Sequence, residues 1–206
     1  MALQDDVDWA GQLIDGYAGR AFRMGVAQAD LDDAGVPLQM QVGAVDPDGW
    51  VEWRVLPSTL AEGDIIRLET EYRIMLPPAF RAYLLARFHL FDQLRSRRYD
   101  QQILMTDTPA QHPLKPLHEI IAAWRPLLEA SYLPFAQWGD GWGPICFDTA
   151  QRRPDGEYAV IWLDHEPLIS VGPDGCRRRE AISGLAQPLY ASSKEFLEDV
   201  FSSLDT

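Results

Sequence analysis

A chain of mixed α and β structure is what the sequence predicts, and three observations carry that expectation. Two apolar runs bounded by turn residues, Ile145–Asp148 and Tyr158–Leu163, read as a hairpin. Helical apolar spacing recurs on both sides of them, and a shorter hairpin pattern lies near residue 50. In the run from Tyr158 to Leu163 both alternating faces are apolar: Tyr158, Val160 and Trp162 on one side, Ala159, Ile161 and Leu163 on the other. Such a strand is expected to be covered on two faces. Pro154-Asp155-Gly156 supplies the turn, and Pro144, which lacks a backbone donor, marks where the pairing starts.

Taken in order, residues 4–24 place Ala10, Leu13, Ile14 and Tyr17 on one helical face, with Phe22 and Met24 continuing it, although Gly11, Gly16 and Gly19 weaken the helix. Residues 25–40 have no clear period and read as a loop. Val42–Val45, the turn Asp46-Pro47-Asp48-Gly49 and Trp50–Val55 form the small hairpin. Thr59 and Glu62 have capping-box spacing ahead of a helix over 60–73 with Ile65, Leu68 and Tyr72 inward. Pro77-Pro78 starts a further helix that buries Phe80, Leu84, Phe88 and Phe91. Residues 96–114 are polar and irregular and read as a long surface loop. Leu117, Ile120, Ile121 and Trp124 mark a helix that Pro126 ends or kinks. Leu168–Val171 reads as a strand, with a turn at Pro173-Asp174-Gly175. Ser192 and Glu195 cap a last helix bearing Phe196, Leu197, Val200, Phe201 and Leu204.

At 206 residues and 47% hydrophobic, the chain can bury a full core. Its longest unbroken apolar run is six residues, far short of the roughly 20 that span a membrane, and its acidic start lacks the pattern of an export signal. A cytoplasmic protein is expected, with Cys146 and Cys176 as structural thiols. Net charge is −13, of which residues 1–50, with nine acids and two bases, carry −7. That balance disfavours a nucleic-acid partner, which is held through Lys and Arg, and favours a basic one.

Candidate chemistry is sparse. Asp164-His165-Glu166 follows the apolar strand, and strand alternation would put Asp164 and Glu166 on one side and His165 on the other, so three ligands would not converge. The glycines of Trp138-Gly139-Asp140-Gly141-Trp142-Gly143 lack a dinucleotide-loop spacing and precede a strand. Neither Ser170 nor Ser183 sits in a nucleophile elbow. No catalytic residue, cofactor or metal is expected. Trp138 and Trp142 flanking Asp140 are candidate anchors at a binding surface, together with Asp164 and Glu166.

The order LPPAFRAYLLARF, YLPFAQWGDGWGPICFDT, EYAVIWLDHE and LYASSKEFLEDVFSSL, preceded by GWVEWRVLPSTL, resembles the SUKH superfamily of Smi/Knr-type cell-wall regulators and bacterial toxin-immunity proteins. The resemblance covers residues 49–206 and leaves 1–48 as an acidic N-terminal extension of helix plus loop; the segment 96–114 is longer than the pattern. It implies an α+β fold with an antiparallel or mixed central sheet and flanking helices. It also implies a protein that acts by binding, as an antidote to a cognate toxin, and the acidic balance favours a basic one. Two other classes remain open: a regulatory scaffold with several endogenous partners, and a metal-assisted enzyme using Asp140, Asp164 and His165.

Overall fold

Phe135 and Phe147 stack face to face, with ring centroids 3.9 Å apart and planes 2° from parallel, and Phe80 and Phe196 meet them edge-on. Around this cluster the chain folds as an α+β protein. The computed structural model describes residues 2–25, 28–30, 35–139 and 141–204.

Among the described residues, six strands form one curled antiparallel sheet: β6 (Gln93–Ser96), β7 (Gln101–Met105), β8 (Tyr132–Trp138), β9 (Pro144–Asp148), β10 (Ala159–Trp162) and β11 (Gln187–Tyr190). They are ordered 11-10-9-8-7-6 across the sheet. The expected hairpin is β9–β10, with Val160 opposite Phe147 and Trp162 opposite Ile145. Covering on both faces is also found. Val160 joins the main core with Phe135 and Phe196, while Ile161 and Leu163 join a second core with Leu127, Leu168 and Ile182. Tyr132 and Cys146 belong to that second core too.

Earlier elements close the near face. Helix α1 (Ala2–Arg23) buries Ala10, Ile14, Tyr17, Ala18 and Ala21 in the main core. Its glycines do not interrupt it. A Cβ on Gly11 would stand 3.0 Å from the Arg87 guanidinium, which reaches across to hold Asp15 at 2.7 Å, so tertiary packing outweighs the weak intrinsic preference. Phe22 and Met24 do not continue the buried face; they are 40% and 59% exposed. A small sheet follows, ordered 1-3-2, from β1 (Gln28–Asp30), β2 (Gln41–Val42) and β3 (Trp50–Trp53), so the segment 25–40 contains a strand where a loop was expected. Trp53 fastens it to the core against Phe91 and Phe22. Strand β4 (Leu56–Pro57) then leads to α2 (Glu62–Tyr72), whose start is held by the Asp64 carboxylate accepting from Ala61 N–H at 2.8 Å rather than by Thr59.

Helix α3 (Pro78–Ala86) stops earlier than expected, because Arg87 turns to extended backbone and β5 (Arg87–Phe88) pairs with β4. Phe88 and Phe91 are buried, though not as helical residues. The segment 96–114 is not a simple loop either: β7 lies inside it, with Ile103 and Met105 inward. Beyond it, α4 (Lys115–Ala123) buries Leu117, Ile120 and Ile121, and α5 (Pro126–Glu129) begins at the proline that ends it. Pro134 is tolerated within β8 because the register shifts there against β9.

The expected strand at Leu168–Val171 is helical. Helix α6 (His165–Cys176), broken at Gly172 (φ 74°), starts from Asp164, whose carboxylate accepts from Glu166 N–H at 2.9 Å. Leu168 is buried while Ile169 and Ser170 are exposed, which suits one helical face against the sheet and not alternation. Short α7 (Arg179–Ile182) completes the second core. Helix α8 (Ser193–Phe201) returns to the first, with Ser192 Oγ accepting from Glu195 N–H at 3.1 Å as the capping spacing predicts.

Glu157 joins two of these helices. Buried just before β10, its carboxylate accepts from Ala79 N–H in the first turn of α3 (2.9 Å) and from Ser193 N–H at the start of α8 (3.0 Å), with the Ser193 hydroxyl as a third donor. Helix N-termini leave amide donors without intrahelical partners and carry partial positive charge, so one carboxylate satisfies both.

Candidate functional site

The β8–β9 turn carries the Trp-Gly motif, and backbone geometry fixes it. Trp138 N–H donates to Gly143 O and Trp142 N–H to Trp138 O, both at 2.9 Å. Gly143 has φ 127°, and a Cβ there would lie 2.1 Å from Leu163 O and 2.8 Å from His165 N. Only glycine allows the turn to lie this close to the junction between β10 and α6, where His165 N–H donates to Trp142 O at 3.1 Å. That approach brings the Trp138–Trp142 turn and Asp164–Glu166 together at one end of the sheet.

The predicted residues then separate by role. Trp138 is buried, stacked on Trp162 at 5.5 Å and edge-on to Tyr99 at 5.4 Å; Tyr99 in turn meets Tyr190 edge-on at 5.6 Å. These four rings form a chain of contacts along the rim of the curled sheet. Trp142 stands outside it, 53% exposed, its ring lying over Gly139, where an added Cβ would be 3.3 Å away. Asp140 lies outside the described residues.

Asp164 and Glu166 do not share a strand face. The strand ends at Trp162, so Asp164 caps α6, Glu166 is exposed in its first turn, and the Asp164 carboxylate also stands 3.5 Å from His165 Nδ1. Trp162 Nε1 and His165 Nδ1 are shielded from solvent with no hydrogen-bond partner among the described residues. Tyr99 and Trp162 were not legible as members of this rim, since only the curl of the sheet brings them to Trp138. Beside the rim, this end of the sheet can supply an exposed aromatic anchor, Trp142, and a solvent-facing carboxylate, Glu166, to a docking macromolecule.

Other features lie elsewhere. A cleft of about 790 Å³ between α2 and the start of α4 is lined by Asp64, Arg67, Glu71, His112, Lys115 and His118, among others, and contains no residue of the rim. Several of its charges are engaged: Arg67 with Asp64, Lys115 with Glu119 at 3.6 Å, and His118 Nδ1 with the Tyr72 hydroxyl at 2.8 Å. Among the described residues, no group of three or more His, Cys, Asp or Glu side chains is placed to hold a metal ion. No described helix is long and apolar enough to cross a membrane. No protein-family model matches the chain, and no curated protein matches it significantly.

Proposed function

We propose that this protein acts by binding another protein, as an antidote that occupies a cognate basic toxin, with the exposed Trp142 turn beside the aromatic rim as its docking surface. The observation that carries the reading is Trp142, a large aromatic side chain 53% exposed on a turn whose backbone is locked against β10 and α6. Tryptophan held in place loses little conformational freedom on binding and is enriched among the residues that dominate interface energy. The Asp164 carboxylate is occupied in capping α6, a structural task, while Glu166 faces solvent beside it. A net charge of −13 favours encounter with a basic partner by long-range attraction. The resemblance of residues 49–206 to SUKH proteins supports the same role.

Co-expression with the product of the adjacent open reading frame, scored for rescue of growth from its toxicity, tests this. The wild-type chain should rescue growth, and Trp142→Ser should lose rescue while its thermal melting stays unchanged. No rescue by the wild-type chain would overturn the antidote reading; full rescue by a folded Trp142→Ser variant would overturn the assignment of the Trp142 turn.

A further inference from the structure

The small N-terminal sheet presents a face that the described residues leave partly open to solvent. Along β3 the burial alternates, with Val51 and Trp53 inward and Trp50 and Glu52 outward, and Val42 on β2 sits directly opposite Glu52. Outward positions of a one-sided sheet are ordinarily polar. Here Trp50 is 43% exposed, Val42 38%, Val45 45%, and Leu38, just before β2, 82%. Isolated exposed apolar side chains need no explanation, but these four occur within one hairpin and its approach.

The platform beneath them is fixed. Trp53 packs against Phe91 at 4.7 Å and Phe22 at 5.8 Å, Arg54 N–H donates to Met40 O at 2.9 Å, and the Asp46 carboxylate closes the hairpin by accepting from Asp48 and Trp50 N–H at 2.9 Å each. Charge selects the occupant. Across residues 38–54 the acids are Asp46, Asp48 and Glu52 and the only base is Arg54. Glu52 and Asp48 are exposed and have no cationic partner among the described residues. A second copy of this chain would bring another net charge of −13 against that rim, so self-association is electrostatically opposed. A cationic amphipathic segment fits instead, its apolar side chains on Trp50 and Val42 and its Lys or Arg side chains against Glu52 and Asp48.

We infer that the outer face of the β2–β3 hairpin is a docking surface for a cationic amphipathic segment of the protein partner, separate from the Trp142 turn. The inference rests on reading the chain as a protein-binding module, and its test is independent of the rescue assay. The full chain, ¹⁵N-labelled, is titrated with a Leu/Lys amphipathic peptide, a scrambled peptide of the same composition, and a counterpart with Glu for Lys. Saturable shifts should centre on the amides of 42–52 and the Trp50 indole with the first peptide only. The double variant Val42→Ser/Trp50→Ser, exposed at both positions, should melt as the wild type and bind about tenfold or more weakly. Glu52→Gln/Asp48→Asn should weaken binding and flatten its dependence on salt.

Shifts centred on Trp142, equal binding of the scrambled peptide, or undiminished binding by the hairpin variant would each overturn the inference. So would sedimentation showing a dimer that Trp50→Ser dissolves, because a second copy would then be the occupant. Growth rescue by the wild-type chain alongside any of these results would leave the antidote reading standing.

Discussion

The hydroxyl oxygens of Ser96 and Tyr190 lie 2.8 Å apart, although their strands, β6 and β11, are the opposite edges of the six-stranded sheet. Asp199 on α8 accepts a hydrogen bond from each, at 2.7 Å, and Leu189 O on β11 accepts from the Tyr99 hydroxyl (2.7 Å) and the Arg98 guanidinium (3.2 Å). The curl thus ends in a seam of side chains rather than a strand ladder. Burial, aided by the Asp199 carboxylate, holds the Tyr190 hydroxyl well above the usual phenol range, which keeps it protonated and a donor to Asp199 near neutral pH.

Replacing Tyr190 by Phe should loosen this seam. Loss of a buried hydroxyl bonded to a carboxylate is expected to cost about 1.5–3 kcal/mol. A double-mutant cycle with Ser96→Ala, read by urea denaturation, should give a coupling energy well above zero. Strict additivity would mean that the two edges are independent.

Gly143→Ala should be far more damaging than a methyl group suggests. The new Cβ would meet Leu163 O and His165 N within the backbone itself, where no flexible side chain can yield, and φ 127° is unfavourable for any L-residue. A loss of about 2 kcal/mol or more is expected, with Trp142 displaced. Chemical denaturation and the Trp142 indole resonance would show both. Gly141→Ala is the control: its φ of 83° is strained, but nothing lies within 4 Å of an added Cβ.

Two groups should give opposite pH slopes. Burial, followed by the Asp92 charge, holds the Asp107 carboxyl up at about 7. The folded state therefore keeps a proton that the unfolded chain releases near pH 4, and this contribution to stability is lost as pH rises through that window. Asp107→Asn should match the wild type at pH 4 and exceed it at pH 8. His89 is fully buried among Tyr83, Phe91 and Phe201, accepts from Phe91 N–H at Nδ1, and is pushed down to about 3 by burial. The unfolded imidazole takes up a proton near pH 6.5, so its contribution is lost as pH falls below that value. Stability of both chains across pH 4–8 would isolate the Asp107 slope as their difference; equal slopes would refute it.

Glu157→Gln keeps the shape but removes the charge that faces two helix starts. About 2 kcal/mol or more should be lost, and both α3 and α8 should show faster amide exchange in their first turns. Protection falling in one helix alone would mean that the carboxylate serves only that helix.

Much of this architecture was readable from residue spacing, and the failures share causes. The β9–β10 hairpin, α4 and α8 were legible because period, turn chemistry and caps agreed. Strands β6 and β7 were hidden by Gln93, Arg95, Gln101 and Gln102, polar residues that one exposed face and a hairpin end accept. In α6, Ile169, Ser170 and Val171 imitate a strand locally, and the cap at Asp164 decides otherwise. The rim was half legible: Trp138 and Trp142 are neighbours in sequence, whereas Tyr99 and Trp162 join them only through a curl that depends on non-local pairing.

Glu157 also has a bearing on how the chain is made. Residues 78–86 leave the ribosome long before residue 157 is added, and the second helix that this carboxylate serves begins 36 residues later still, at Ser193. Until α8 docks, a buried anion with only part of its donors is a costly arrangement, so the nascent fold stays open to chaperones and proteases. A polypeptide released early, short of α8, would lack both the Ser193 donors to Glu157 and the Phe196, Leu197, Val200 and Phe201 side chains that complete the main core.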